Sequence, residues 1–173
     1  MVNPYRQQLV KTWIAAILWL ILIAFESTDS LSSSSTSRFL YPLLHYLTGV
    51  DPIRFLVWNY YIRKLGHVAG YFGLSLLLFR AWRVTIPLAR ASQWSFQWAG
   101  ISFFMTTLVA CLDEWHQAFI ASRTGSLHDA GLDSTGALAA QLMIFLWPRF
   151  RHSAAQPEEE PAEAGTVAEN GGD

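Results

Sequence analysis

Cysteine is nearly absent. Cys111, set in an apolar run, is the only one in 173 residues, which excludes an internal disulfide framework and any multi-cysteine zinc site. It reads as a small, buried filler. Charge is scarce as well: Asp, Glu, Lys and Arg make up 14% of the chain, where an ordinary soluble domain has about 25%. With 52% hydrophobic residues and a mean hydropathy of +0.24, the composition is that of a membrane protein. No HExxH occurs and no serine or cysteine sits in a nucleophile motif, so the common zinc-protease and acyl-enzyme signatures are missing. No internal repeat is present. Acids are few until the C-terminus, where six of the thirteen fall in the last sixteen positions. Residues 1–152 carry twelve basic and seven acidic side chains, a net of +5, too few and too scattered among Trp and Leu for a nucleic-acid partner.

Four hydrophobic segments stand near 9–25, 65–82, 94–112 and 130–147, each approaching the ~20 residues that span a bilayer core. The first is rich in Trp and Ile and lacks a small-residue cleavage pattern, so it is expected to be a retained anchor and not a signal peptide. The expected fold is all-α: about four transmembrane helices in a bundle, plus a short outer interfacial helix. With both termini cytoplasmic, Arg6, Lys11, Arg80, Arg83, Arg90, Arg149 and Arg151 lie inside, and Arg38, Arg54, Arg63, Lys64 and Arg123 outside. That is the bias short loops require. The acids Glu26, Asp29, Asp51, Asp113, Glu114, Asp129 and Asp133 all gather toward the outer side.

The outer segment 26–64 is not a simple loop. Ser27 to Ser37 is a serine- and threonine-rich run without apolar periodicity, expected to be irregular. After it, Phe39, Leu40, Leu43, Leu44 and Leu47 fall on one side of a short helix suited to the membrane interface, with His45 as a headgroup-level polar residue. Asp51-Pro52 is a helix start, and nothing breaks that helix firmly before Pro87. It is longer than a bilayer core requires and should project its first turns, with Arg54, Arg63 and Lys64, out of the membrane. From Ser153 the acidic tail has almost no large apolar residue and is expected to form a disordered cytoplasmic segment, 153–173, following a membrane domain of 1–152.

Polar residues form three stripes. Lys64, His67, Tyr71 and Ser75, at steps of 3, 4 and 4, share one face of the second span; ionisable groups there should face the bundle. Asp113, His116 and Gln117 share a face at the outer end of the third, with Glu114 about 100° away. A carboxylate and imidazole at i and i+3 can share a metal or a proton. Together with His67, Asp113 and His116 are the metal-ligand candidates. Ser126 and Asp129 match a capping box opening the last helix. Asp133 lies one turn deeper, Gly136 and Ala140 permit a close helix approach, and Arg123 is expected to reach Asp129 or Asp133. His128 is read as a surface residue.

The polar pocket so drawn comprises Lys64, His67, Tyr71, Asp113, Glu114, His116, Gln117, Arg123, Asp129 and Asp133. The run of Arg63, Lys64, His67, Tyr71, Leu74 and Leu77, then Asp113, Glu114, His116 and Gln117, then Arg123, Gly125, Ser126 and Asp129, closing on Asp133 and Gly136, resembles the VanZ-like family of small bacterial membrane proteins over roughly residues 10–148. The resemblance implies a multi-pass protein of the bacterial cytoplasmic membrane. The family's founding member is associated with low-level resistance to the lipoglycopeptide teicoplanin, which implies a role in envelope function or antibiotic susceptibility. Three readings stay open. In one, the pocket binds a membrane lipid headgroup, a cell-wall precursor or an amphiphilic antibiotic, with Lys64 and Arg123 holding its anionic group. In another, the histidines and carboxylates serve a metal-dependent or acid–base hydrolase or transferase acting on a lipid. In the third, the polar network is a structural scaffold. No cofactor is expected.

Overall fold

Asn3 opens the first helix by accepting the Tyr5 N–H on its side-chain oxygen at 3.0 Å, and Pro4 follows at the first helical position, where a missing donor is harmless. In the computed structural model this helix, α1, runs Pro4–Glu26. It is followed by α2 (Ser33–Thr48), α3 (Pro52–Thr85), α4 (Phe96–Gln117) and α5 (Leu127–Ser153). The structure describes residues 3–28, 33–87, 94–120, 123 and 125–153, and among them there is no strand. The acidic tail beyond Ser153 lies outside the described residues.

Helix α3 is the axis of the bundle, packed by α1, α4 and α5, with α2 lying against its first turns. Asp51 caps it, accepting the Ile53 N–H at 2.9 Å, and Ile86 ends it just before Pro87. Its 34 residues extend ~51 Å at ~1.5 Å each, well beyond a ~30 Å hydrocarbon core. Helix α1 runs antiparallel to it. The Tyr5 hydroxyl donates to the Val84 carbonyl at 2.9 Å and the Trp13 indole to Thr85 Oγ1 at 2.9 Å. Farther along, the Trp19 indole donates to the Gly70 carbonyl at 2.8 Å. Both of these α1 indole N–H groups thus have an acceptor, as covered donors require.

Two apolar clusters hold the bundle. One joins Ala16 and Ile23 to Tyr71, Leu74, Leu78 and Ala110; the other joins Phe79, Trp98 and Ala99, with Trp82 and Ile144 against them. A stripe of small residues, Ala99, Ser102, Thr106 and Ala110, is the buried face of α4. The Ser102 and Thr106 hydroxyls donate back to the Trp98 and Ser102 carbonyls at 2.7 and 2.8 Å, so the stripe buries no orphaned hydroxyl. Between α3 and α5, Ser75 donates to the Ala137 carbonyl at 3.1 Å and accepts from Gln141 at 2.7 Å.

The outward surface is apolar. Ile14, Ile17, Leu18 and Ile21 on α1, Phe104, Leu108 and Leu112 on α4, and Leu138 and Leu142 on α5 are all exposed. A continuous surface of this kind is not left to water in a soluble monomer. Among the described residues two helices, α1 and α4, are long and apolar enough to cross a membrane, against the four expected from the hydrophobic segments. Helices α3 and α5 have the length but are less apolar, because they carry the ionisable seam.

Two local expectations are corrected, and a third is refined. Residues Ser33 to Ser37 are not irregular but form the first turns of α2, where Ser37 accepts a hydrogen bond from Asn59 at 3.1 Å. Cys111 is exposed and not a buried filler; it follows Ala110, which takes the buried position. On α2, Leu40 and Leu44 are half-buried while Leu43 and Leu47 are exposed, so the apolar side is divided between the protein and its surroundings.

Candidate functional site

The polar seam of α3 meets the ends of α1 and α4 and the start of α5 at one level of the bundle. Tyr71 is fully buried, and its hydroxyl donates to Asp113 Oδ2 at 2.8 Å. The same oxygen accepts from Gln117 Nε2 at 3.0 Å, and that amide lies 3.3 Å from Ser27 Oγ. Asp113 is thereby held by donors from two helices. Two turns outward along α3, the Lys64 ammonium pairs with Asp129, both side chains being largely but not fully covered.

Next to this pair, His67, Glu114 and Asp133 converge from three helices, each offering one ligand-capable atom, with all three atoms within 4.8 Å of one another. His67 Nδ1 stands 3.9 Å from Asp133 Oδ2, too far for a hydrogen bond. Asp133 is 2% exposed, and its Oδ2 has no hydrogen-bond partner among the described residues. Glu114 is buried, and its Oε2 accepts the backbone N–H of Ser126 at 2.8 Å.

Two glycines make this convergence possible. A side chain at Gly125 would run into the Glu114 carbonyl and Ala118, so only glycine lets the turn before α5 lie on the end of α4. A side chain at Gly136 would run into the Val68 carbonyl, so glycine there brings α5 directly onto α3.

The expected pocket is assembled in part. Lys64, His67, Tyr71, Asp113, Glu114, Gln117, Asp129 and Asp133 come together. His116 does not. It is exposed, because it lies about 200° around the helix from Glu114, and Glu114 continues the buried small-residue stripe. The metal-ligand candidates change accordingly. His67 remains, while Asp113 is engaged by Tyr71 and Gln117 and His116 faces outward, so Glu114 and Asp133 take their places. Among the described residues the cation paired with Asp129 is Lys64, and Arg123 turns to α1. Its guanidinium donates to the Glu26 and Thr28 carbonyls at 2.7 and 2.9 Å, placing positive charge on the C-terminal end of α1, where the helix dipole favours it. The capping box is also different. Ser126 Oγ accepts the His128 N–H at 3.2 Å, but the reciprocal acceptor for Ser126 N–H is Glu114, from α4, and not Asp129. His45 and His128 are exposed as expected.

Residues outside the expected set complete the layer. Ser27, 1% exposed, and Glu26 bring the end of α1 into it. Ser75 and Gln141 extend it inward between α3 and α5. Gln141 is within reach of sequence reasoning, since the position eight residues after Asp133 falls about 80° around the helix, within one broad buried side. Ser27 is not, because nothing in a serine-rich run marks one hydroxyl as buried.

A family model described as VanZ/LLP1 matches residues 12–148. No curated protein and no solved structure matches the chain.

Proposed function

The chain belongs to the VanZ/LLP1 family, and on that premise we propose that it is a multi-pass protein of the bacterial cytoplasmic membrane whose outward-facing polar layer binds the headgroup of a membrane amphiphile. The amphiphile is a lipid, a lipid-linked envelope precursor or a lipoglycopeptide-like compound. One observation carries the reading: ionisable groups from α3, α4 and α5 lie at one level of a bundle whose outer surface is largely apolar. Such groups are costly at membrane depth, and they persist where they serve a ligand, a pathway or one another. Lys64 and His67 keep 25% and 19% of their side-chain surface open, enough for a headgroup to reach them from the bilayer side. Tyr71, Asp113 and Gln117 form the buttress behind.

The test is retention of labelled phospholipid by detergent-purified protein. Wild type should retain it, and Lys64→Ala and His67→Ala should lose it while keeping a monodisperse elution profile. Retention at the wild-type level in both folded variants would remove the binding-site reading and leave a structural network.

A second reading is favoured by the convergence of His67, Glu114 and Asp133. An imidazole beside two carboxylates is the equipment of a hydrolase or transferase acting on the same headgroup, by acid–base or metal-assisted chemistry. Release of phosphate or of an acyl chain from the retained lipid, abolished by His67→Ala, distinguishes it from binding alone.

A further inference from the structure

We infer that His67 on α3, Glu114 on α4 and Asp133 on α5 form a binding site for one divalent transition-metal ion. The three residues come from three helices, and no local periodicity groups them; tertiary packing alone brings one ligand-capable atom of each within 4.8 Å of the others. Asp133 supplies the independent sign. It is 2% exposed, yet its Oδ2, on the side of His67 Nδ1, accepts no hydrogen bond among the described residues. A buried carboxylate oxygen without a donor is costly, and a cation between it and the imidazole removes that cost.

The spacing suits such a cation better than a direct contact. Two bonds of ~2.1 Å leave ligand atoms about 3.4 Å apart at a tetrahedral angle and about 4.2 Å apart when opposite. The His67–Asp133 separation of 3.9 Å falls in that interval, whereas a hydrogen bond would be nearer ~2.9 Å; the triad as a whole is bounded at 4.8 Å, so a side-chain adjustment closes it onto the ion.

The surroundings support the ligands as the outer shell of a metal site does. Ser126 N–H holds Glu114 through Oε2, which fixes the direction of its other oxygen. Asp113 is committed to Tyr71 and Gln117, and Lys64 to Asp129, so neither competes for the triad. One imidazole nitrogen and two carboxylate oxygens suit zinc or manganese more than calcium or magnesium, which seldom take imidazole. Three protein ligands leave a coordination position open. On the headgroup reading, an anionic oxygen would take that position, which explains how an acid-rich layer accepts an anion. The metal site itself does not depend on that reading.

The experiment uses the full chain, purified in detergent without an affinity tag, stripped with chelator and titrated with Zn2+ and with Mn2+ by calorimetry. Elemental analysis after dialysis counts the ions. Wild type should bind one ion of at least one of the two metals per chain. His67→Ala and Asp133→Asn should raise the dissociation constant at least about a hundredfold, the upper range for losing even a supporting residue, and His116→Ala, which removes an exposed imidazole, should leave it unchanged. Co2+ should give ligand-field absorption in wild type that disappears in His67→Ala. Circular dichroism and elution profile establish folding, and if Asp133→Asn does not fold, His67→Gln and Glu114→Gln carry the same expectation. Failure of both metals to bind stoichiometrically, or binding undiminished in folded His67 and Asp133 variants, overturns the proposal. The titration contains no lipid, so its outcome is separate from that of the headgroup test.

Discussion

Glu114 on α4 holds the backbone of Ser126 at the start of α5: its Oε2 accepts the Ser126 N–H at 2.8 Å. An exposed end-of-helix donor would find water. Here the cap comes from a different helix, so it fastens two helices together as well as ending one.

Replacing Glu114 separates its two roles. Glu114→Ala leaves the Ser126 N–H without its acceptor and should lower stability by about 1–2 kcal/mol, read as a lower midpoint of thermal unfolding in detergent. Glu114→Gln keeps an acceptor oxygen and should retain most of that stability while losing the metal affinity inferred above. Equal loss of stability in both variants would show that the charge, and not the hydrogen bond, holds the turn.

Arg123→Gln should lower folded yield. The guanidinium donates to the Glu26 and Thr28 carbonyls, and hydrogen bonds to a charged group contribute about 1.5–3 kcal/mol each. Because these contacts are to the end of α1, adding Asp133→Asn should not restore the yield. Rescue by the second substitution, measured as recovered monodisperse protein, would mean that Arg123 serves the acids of α5 instead.

Two glycines on α5 should behave in opposite ways. Gly136→Ala drives a methyl group into the Val68 carbonyl and should cost about 1–3 kcal/mol as overpacking. Gly131, one turn and a half earlier, has open space for 4 Å around the place a methyl group would take, so Gly131→Ala should be neutral or slightly stabilising through helix propensity. Unfolding midpoints of the two variants, compared side by side, check the close approach of α5 to α3.

Orientation in the membrane is tested by cysteine labelling in a Cys111→Ser background, necessary because Cys111 is exposed. Cysteines at Ser34 and Ser126 should react with an impermeant reagent in intact cells, and one at Ala91 should not. The opposite pattern would put the polar layer on the cytoplasmic side.

The seam of α3 is readable from spacing alone. Lys64, His67, Tyr71 and Ser75 repeat at helical intervals, and a helix with one ionisable side must turn it toward partners. The same logic places Asp113 and Gln117. It fails at His116 and Glu114, which exchange places when the face of α4 is judged from its polar residues. The deciding signal is the small-residue stripe, Ala99, Ser102, Thr106 and Ala110, which leads to Glu114. Arg123 escapes sequence reasoning for another reason: its acceptors are backbone carbonyls at the end of α1, and a carbonyl has no signature in sequence. Pairing partners between helices, such as Lys64 with Asp129, depend on which helices are neighbours, and periodicity does not encode that.

The division between apolar and ionisable helices bears on how the chain is made. On the four-span reading, α1 and α4 can each rest in lipid unaided, as the two-stage account of membrane folding assumes. Helix α3 cannot do so comfortably. It is synthesised with Lys64 and His67 well before Asp129, which pairs with Lys64, and Asp133, which faces His67; these follow by sixty-five and sixty-six positions. Until α5 arrives, the charged end of α3 must wait at the headgroups or in the insertion machinery. Synthesis that stops before Asp129 therefore yields a chain whose charged helix has no resting place in the bilayer, and that defect is open to cellular proteases. On that reading the last helix is the one that completes the polar layer, and a chain cut short of it is expected to be short-lived.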